Sequence, residues 1–499
     1  MSTAPLAARS RRETALVAAL ASFAAIRVAI FAAAFPFFAN VDEQKHVDMV
    51  LKYADGVLPQ PGRDAYQPEM GQLLGLYGSP EYLLGPGESA PPPAWRRPPA
   101  ARFAVISASE RFLAARANKE AEQPPFYYAV AGAWLKLGRA LGLEEARLLY
   151  FVRGLGALVA GALVWVAHRL VRDLYRDDAL VRWGVPLLIA VFPQDTLFYV
   201  TPDVFSPLLG GLCFALALGL ARRPESGALA YAAAGLALAA ALLTKWTNAA
   251  LWVVAAAASL HAIAHATPSV ALRRFAGKLA LQWGLALAPV ALWCERSLRL
   301  YGDPTGSALK VARLGWGRKP LGQWLDHPIF TPSGFAEFAT GLVPRFWRGE
   351  LAWHRTDLAL PAMDAVYTAS TLLLLALALA GLRRREPARF LAEGLAMVAV
   401  AVGTILLVLL SLAFVFDATT NPSASSPYFV QGRLISGVLL PFLLVYVRGL
   451  GVATARLPGA VTRPLGWAAV VALALAVSVS ELALAWPVFA SEYNAFHLP

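Results

Sequence analysis

Cysteine is scarce in this chain. There are two among 499 residues, Cys213 and Cys294, both inside apolar runs. That excludes a disulfide-stapled fold and a cysteine-based metal site. Charge is scarce as well. Asp, Glu, Lys and Arg make up 15% of the residues, against roughly 25% in soluble domains, so an ordinary soluble enzyme is excluded. The signatures of soluble nucleotide or zinc-peptidase chemistry are missing too. There is no P-loop, no G-x-G-x-x-G after a strand, no H-E-x-x-H and no serine nucleophile elbow. Asn421-Pro422-Ser423 fails as a glycosylation acceptor because proline holds the middle place. No internal repeat is visible.

What the chain has is apolar length. Hydrophobic residues make up 58% of it and mean hydropathy is +0.53. Apolar stretches at about 14–38, 148–168, 183–200, 204–221, 228–243, 247–266, 279–298, 364–382, 392–416, 434–450 and 465–487 approach or exceed the roughly 20 residues that cross a ~30 Å hydrocarbon layer. The pattern predicts an all-α integral membrane protein, one polytopic unit over 1–499 with about eleven transmembrane helices. Arg9, Arg11 and Arg12 precede the first run, which reads as an uncleaved signal anchor, cleavage near Ala34 or Ala39 being the alternative. The formal charge of +12 does not imply nucleic acid, because the arginines cluster between apolar runs as topology determinants.

One further apolar stretch, 125–141, is short, opens on a proline pair and carries Lys136 and Arg139. Parity decides its role. If it does not span and the N-terminus is cytoplasmic, the clusters Arg169/Arg172/Arg176/Arg182, Arg222/Arg223, Arg273/Arg274/Lys278, Arg383/Arg384/Arg385/Arg389 and Arg448/Arg456/Arg463 all fall inside. If it spans, every one moves outside, against the positive-inside rule. It is therefore expected as a juxtamembrane helix at the outer surface. The reading is a multi-pass plasma (inner) membrane protein with three long outer segments: 39–147, 299–363 and 417–433.

Those outer segments hold the candidate chemistry. Asp42-Glu43 stands just past the first apolar run, where unsatisfied carboxylates are costly. If 42–54 is a short helix, Asp42 and His46 share a face. The bland reading is a solvated acid pair at a helix end; the functional one is a general base. Glu122-Gln123-Pro124-Pro125 starts the surface helix, since proline suits a first helical turn, and the turn could aim Glu122 and Gln123 at the same cavity. Asp195 and Asp203 flank a tight outer turn. Lys245, in an outer turn against the charge trend, calls for an anionic partner: a lipid phosphate, a headgroup or one of these acids. Gln431-Gly432-Arg433 joins a phosphate-suited guanidinium to a glycine that permits close backbone approach; the bland reading is a snorkelling arginine. Arg27, in mid-span, and Glu481, in the last span, are expected to pair with other spans, the alternative for Arg27 being to line a cavity.

Asp-Glu followed by His in an early outer loop, then Gln123-Pro124-Pro125-Phe126-Tyr127-Tyr128, resembles the GT-C superfamily of polytopic glycosyltransferases, in the flavour of protein O-mannosyltransferases and aminoarabinose transferases. Tyr301-Gly302-Asp303-Pro304, Phe346-Trp347 and Gln431-Gly432-Arg433 look like bacterial members of uncharacterised function. The resemblance runs from about 40 to 445. It implies transfer of a sugar from a polyprenyl-phosphate donor to a lipid, glycan or protein acceptor on the outer face, with inversion. The superfamily's first-loop acid corresponds to Asp42, with Glu43 adjoining as a catalytic partner, and its following histidine to His46. Its histidine before Gln-Pro-Pro falls on Glu122, a departure, and its third-loop arginine on Arg433. The implied substrate-binding set is His46, Glu122, Gln123, Asp203, Lys245, Tyr428, Gln431 and Arg433. No cofactor is required by this scheme. The gathered carboxylates allow a divalent metal, with no ligand set specified. The competing classes are a lipid or small-molecule transporter or flippase, a scaffold, and a catalytically inactive GT-C-like protein.

Overall fold

The computed structural model describes residues 4–38, 42–265, 270–382, 386–417, 422–455 and 458–499. The arginine cluster 383–385 and Arg456, used in the parity argument, lie outside the described residues. The described chain is almost entirely helical, in seventeen α-helices. α1 (Ala4–Ala34) is followed by a long segment carrying four shorter helices, α2 (Glu43–Ala54), α3 (Pro68–Tyr77), α4 (Pro99–Ala114) and α5 (Phe126–Ala140). Then come α6 (Glu145–Leu174), α7 (Ala179–Ala190), α8 (Ser206–Arg222), α9 (Ala228–Thr244), α10 (Ala249–Ala264) and α11 (Val270–Tyr301). A second long segment holds α12 (Ser307–Arg313) and α13 (Pro332–Arg348), and α14 (Pro361–Gly381), α15 (Pro387–Ala413), α16 (Leu439–Thr454) and α17 (Gly459–Phe489) complete the chain.

Among the described residues, nine helices are long and apolar enough to cross a membrane: those built on α1, α6, α8, α10, α11, α14, α15, α16 and α17. The two shorter apolar helices, Ala179–Ala190 and Ala228–Thr244, fall on the remaining two of the eleven expected stretches. One of these departs from expectation. The stretch 183–200 is helical only as far as Ala190. Pro193 interrupts the chain beyond it, and the freed carbonyl of Phe192 accepts from Arg27 Nη2 at 2.9 Å. The same guanidinium donates from Nε to Glu481 Oε2 on α17 at 2.9 Å. The two mid-span charges thus pair with each other, and Arg27 also seals a broken helix end, as a membrane interior demands.

α5 spans 15 residues and is not among the candidate membrane spans. It packs against α2 through Gly132, where an added Cβ would lie 2.9 Å from the backbone of Ala54. The only strands among the described residues are two-residue pairs. β1 (Gly317–Arg318) joins β4 (Phe414–Val415), tying the second long segment to the end of α15, and β2 (Ala352–Trp353) joins β3 (Thr356–Asp357) in a hairpin.

Candidate functional site

Asp42 begins α2 as its N-cap residue, in the left-handed region at φ 60°, which Asp tolerates better than most residues. Its side chain makes no cap hydrogen bond. It is 48% exposed and meets Lys45 Nζ at 2.7 Å. Partial burial raises its pKa, but Lys45, then His46 and Arg433, outweigh this, and the carboxyl sits below its usual range.

Glu43, expected beside Asp42 as a catalytic partner, points the other way. It is fully buried and bridges Arg153 through both oxygens, at 2.8 and 2.6 Å. It also accepts from the backbone N–H of Phe38 at 3.0 Å and of Val200 at 2.9 Å. Arg153 spends its other N–H groups on the carbonyls of Ala32, Phe35 and Pro36 at the end of α1. With every partner accounted for, Glu43 is a structural clamp, and Asp42 alone of the pair faces solvent.

Three more predicted residues lie at the entrances of spans. Asp203 sits in the tight turn Pro202–Val204 before α8, Lys245 just before the turn Trp246–Asn248 that leads to α10, and Arg433 in the turn Gly432–Val438 before α16. Asn248 Nδ2 donates to Ser206 Oγ at 3.1 Å, holding two of these entrances together. Helix N-termini carry partial positive charge and suit anions. Of the anionic partners open to Lys245, the structure supplies an acid: it pairs with buried Asp203. Arg433 Nε meets Glu350 Oε2 at 3.3 Å; among the described residues its terminal nitrogens make no hydrogen bond. Gly432 lets this turn press onto α13, where a Cβ would lie 2.2 Å from the backbone of Phe346.

His46 lies beneath Asp42, with Nδ1 2.8 Å from Tyr128 Oη. Burial drives its pKa down to about 4 despite nearby Glu120, Asp42 and Asp203, so the imidazole is neutral at physiological pH. Glu120 and Lys310 complete the cluster. Lys310 Nζ lies 2.8 Å from both Glu120 oxygens, and Arg313 pairs with Asp64, so α12 is docked on the first long segment. Burial opposes ionisation of Glu120, but Lys310 prevails and lowers its pKa.

Glu122 is 2% exposed, 3.6 Å from Arg313 Nη1, and neither of its oxygens has a hydrogen-bond partner among the described residues. Burial pushes its pKa up to about 7. Gln123 is half-buried, its backbone N–H bonded to the carbonyl of Glu120 at 3.1 Å. Gln431 is buried just ahead of Arg433. Tyr428 stands apart, packed edge-on against His327 at 5.5 Å and lining a separate groove of about 360 Å³ with Glu337, Arg345, Arg348 and Asp364.

The structure therefore brings Asp42, His46, Asp203, Lys245 and Arg433 within electrostatic reach of one another. It adds Glu120 and Lys310, which sequence reasoning missed because their pairing joins positions far apart in the chain. Asp195 faces another partner: its Oδ2 accepts from the N–H of Glu350 at 3.3 Å. Gly349, at φ +82°, leaves room for that carboxylate where a side chain could not fit. Among the described residues no three His, Cys, Asp or Glu side chains converge as metal ligands.

No curated protein matches this sequence. Among solved structures, ArnT from Cupriavidus metallidurans in the apo state is similar at 14% identity and a TM-score of 0.42, over 98% of this chain and 74% of that one. The model of the family described as predicted membrane protein (DUF2142) matches residues 26–441, and the chain belongs to that family.

Proposed function

We propose that this protein is a membrane glycosyltransferase that moves a sugar from a polyprenyl-phosphate donor to an acceptor at the outer face of the plasma membrane. One observation carries the reading. A half-exposed carboxylate, Asp42, and a guanidinium, Arg433, whose terminal nitrogens make no hydrogen bond among the described residues, share one electrostatic cluster with Lys245 and Lys310, beside the entrances of three spans.

In this reaction the acceptor hydroxyl oxygen attacks the anomeric carbon. The bond from that carbon to the phosphate oxygen breaks, the configuration inverts, and the hydroxyl proton passes to Asp42. The departing polyprenyl phosphate gains a negative charge. Arg433 suits it by forked hydrogen bonds, and the helix N-termini add fixed positive potential where charge grows, while Lys245 and Lys310, each paired with an acid, hold the cluster together. His46, neutral and held by Tyr128, orients rather than transfers protons. Gln123, half-buried on the turn before α5, is assigned to sugar or acceptor hydroxyls; Glu122 is buried beside Arg313 and is given no contact with them.

The transporter reading draws on the mid-span pair Arg27–Glu481, since intramembrane charges often mark transport paths. That pair is internally satisfied and braces a helix end, which favours a structural role.

The test is incubation of purified protein in nanodiscs with a panel of radiolabelled polyprenyl-phosphate sugars and a membrane extract. Labelled product from one donor is expected. No transfer from any donor, together with movement of labelled lipid between leaflets, would replace the enzyme by a flippase.

A further inference from the structure

We propose that residues 317–335 form a second membrane-contacting element, lying in the headgroup region of the bilayer beside α15. In it Leu321, Leu325, Phe330 and Phe335 reach the acyl boundary, and Arg318 and Lys319 meet lipid phosphates. The inference is independent of the reaction proposed above.

Position comes first. Arg318 pairs with Phe414 and Gly317 with Val415 in a β-ladder, and the N–H of Lys319 donates to the carbonyl of Ala413 at 2.9 Å. Ala413 is the last residue of the candidate span Pro387–Ala413. Backbone hydrogen bonds therefore fix Arg318 and Lys319 at the level where a membrane helix leaves the apolar layer. Trp316 locks this join from within, its ring 5.9 Å from that of Phe414 and 5.1 Å from that of Phe416.

Surface chemistry comes second. Leu321 is 74% exposed, Leu325 80%, Phe330 55% and Phe335 58%. Large apolar side chains concentrated in so short a stretch are costly in water and mark an interaction surface. The ladder joins this segment to an exposed apolar stripe of α15: Ile405 and Leu409, one helical turn apart, and then Val415 opposite Gly317. On a membrane-spanning helix that stripe faces lipid. The occupant that covers both without a break is the bilayer. An apolar face with neighbouring Lys and Arg is the pattern of segments that lie about 5–10 Å into the interface, where basic side chains favour anionic headgroups.

The two cysteines are replaced first, as Cys213→Ala and Cys294→Ala, and Leu325→Cys or Leu321→Cys is introduced in the full chain. Each carries an NBD label in nanodiscs of zwitterionic lipid, with and without anionic and doxyl-labelled lipid. Both positions are exposed, so neither variant threatens folding. The label is expected to lose more than half its emission to shallow doxyl lipid while resisting aqueous iodide, unlike a label at Asp357→Cys. Anionic lipid is expected to strengthen the doxyl effect, and Arg318→Gln with Lys319→Gln to remove that increment. Quenching by iodide as at Asp357→Cys would overturn the inference. So would protection from both quenchers, which would mean that protein covers the face.

Discussion

Two adjacent carboxylates, Asp42 and Glu43, have side chains 48% and 0% exposed. That difference divides chemistry from architecture. Removing the negative charge of Glu43 strands a buried guanidinium, a loss of about 3–5 kcal/mol. Glu43→Gln is therefore expected to unfold at markedly lower temperature, whereas Asp42→Asn, at a solvated position, should shift stability by no more than about 0.5 kcal/mol; thermal unfolding in detergent compares them. Glu122 makes a pH-dependent contribution of opposite sign to a paired acid. Burial raises its pKa from 4.5 to about 7. The native state then binds the proton more tightly than the unfolded chain, so stability falls as pH rises from 4.5 through 7 and the full penalty applies above that. Glu122→Gln should exceed the wild type by about 1–3 kcal/mol at pH 8, with the gap closing by pH 4.5; a gap independent of pH would contradict this.

At the scale of elements, the charges that hold helices together are also those that position the cluster. Arg27 joins α1 to α17 through Glu481 and to the end of α7 through the Phe192 carbonyl. Glu481→Leu should cost about 3–5 kcal/mol, because it leaves the guanidinium buried without its countercharge. Adding Arg27→Met should restore only part of that, since the Phe192 carbonyl still lacks its donor; full restoration in chemical unfolding would show that the cap contributes nothing. The sequence made parts of this legible. Lys245 stood against the local charge trend and so called for an anionic partner, a lipid group or an acid, and the acid Asp203 pairs with it. Arg27 and Glu481 were too costly in mid-span to stand alone. Glu43 could not be placed, because its partner Arg153 is distant in the chain and a carboxylate beside a membrane exit looks the same whether it turns inward or outward. Lys310 and Glu120 were hidden for the same reason, and 183–200 looked like one span because its residues are apolar on both sides of the break at Pro193.

For the whole molecule, the apolar runs were sufficient to set the class and to locate eleven apolar helices, of which nine, among the described residues, are long enough to cross a membrane. Reporter fusions at Lys136 and at Arg223 should report opposite sides, outside and inside; the same side for both would break the topology that places Asp42 outside. The central claim is that Asp42 takes the proton from an acceptor hydroxyl in a sugar transfer. The most direct measurement is single-turnover transfer from the productive polyprenyl-phosphate sugar, comparing wild type, Asp42→Asn and Asp42→Glu in nanodiscs at matched folded concentration. A loss of about 10²–10⁴-fold is expected for Asp42→Asn, with partial recovery in Asp42→Glu and donor binding left intact. Equal transfer rates for the wild type and Asp42→Asn would contradict it.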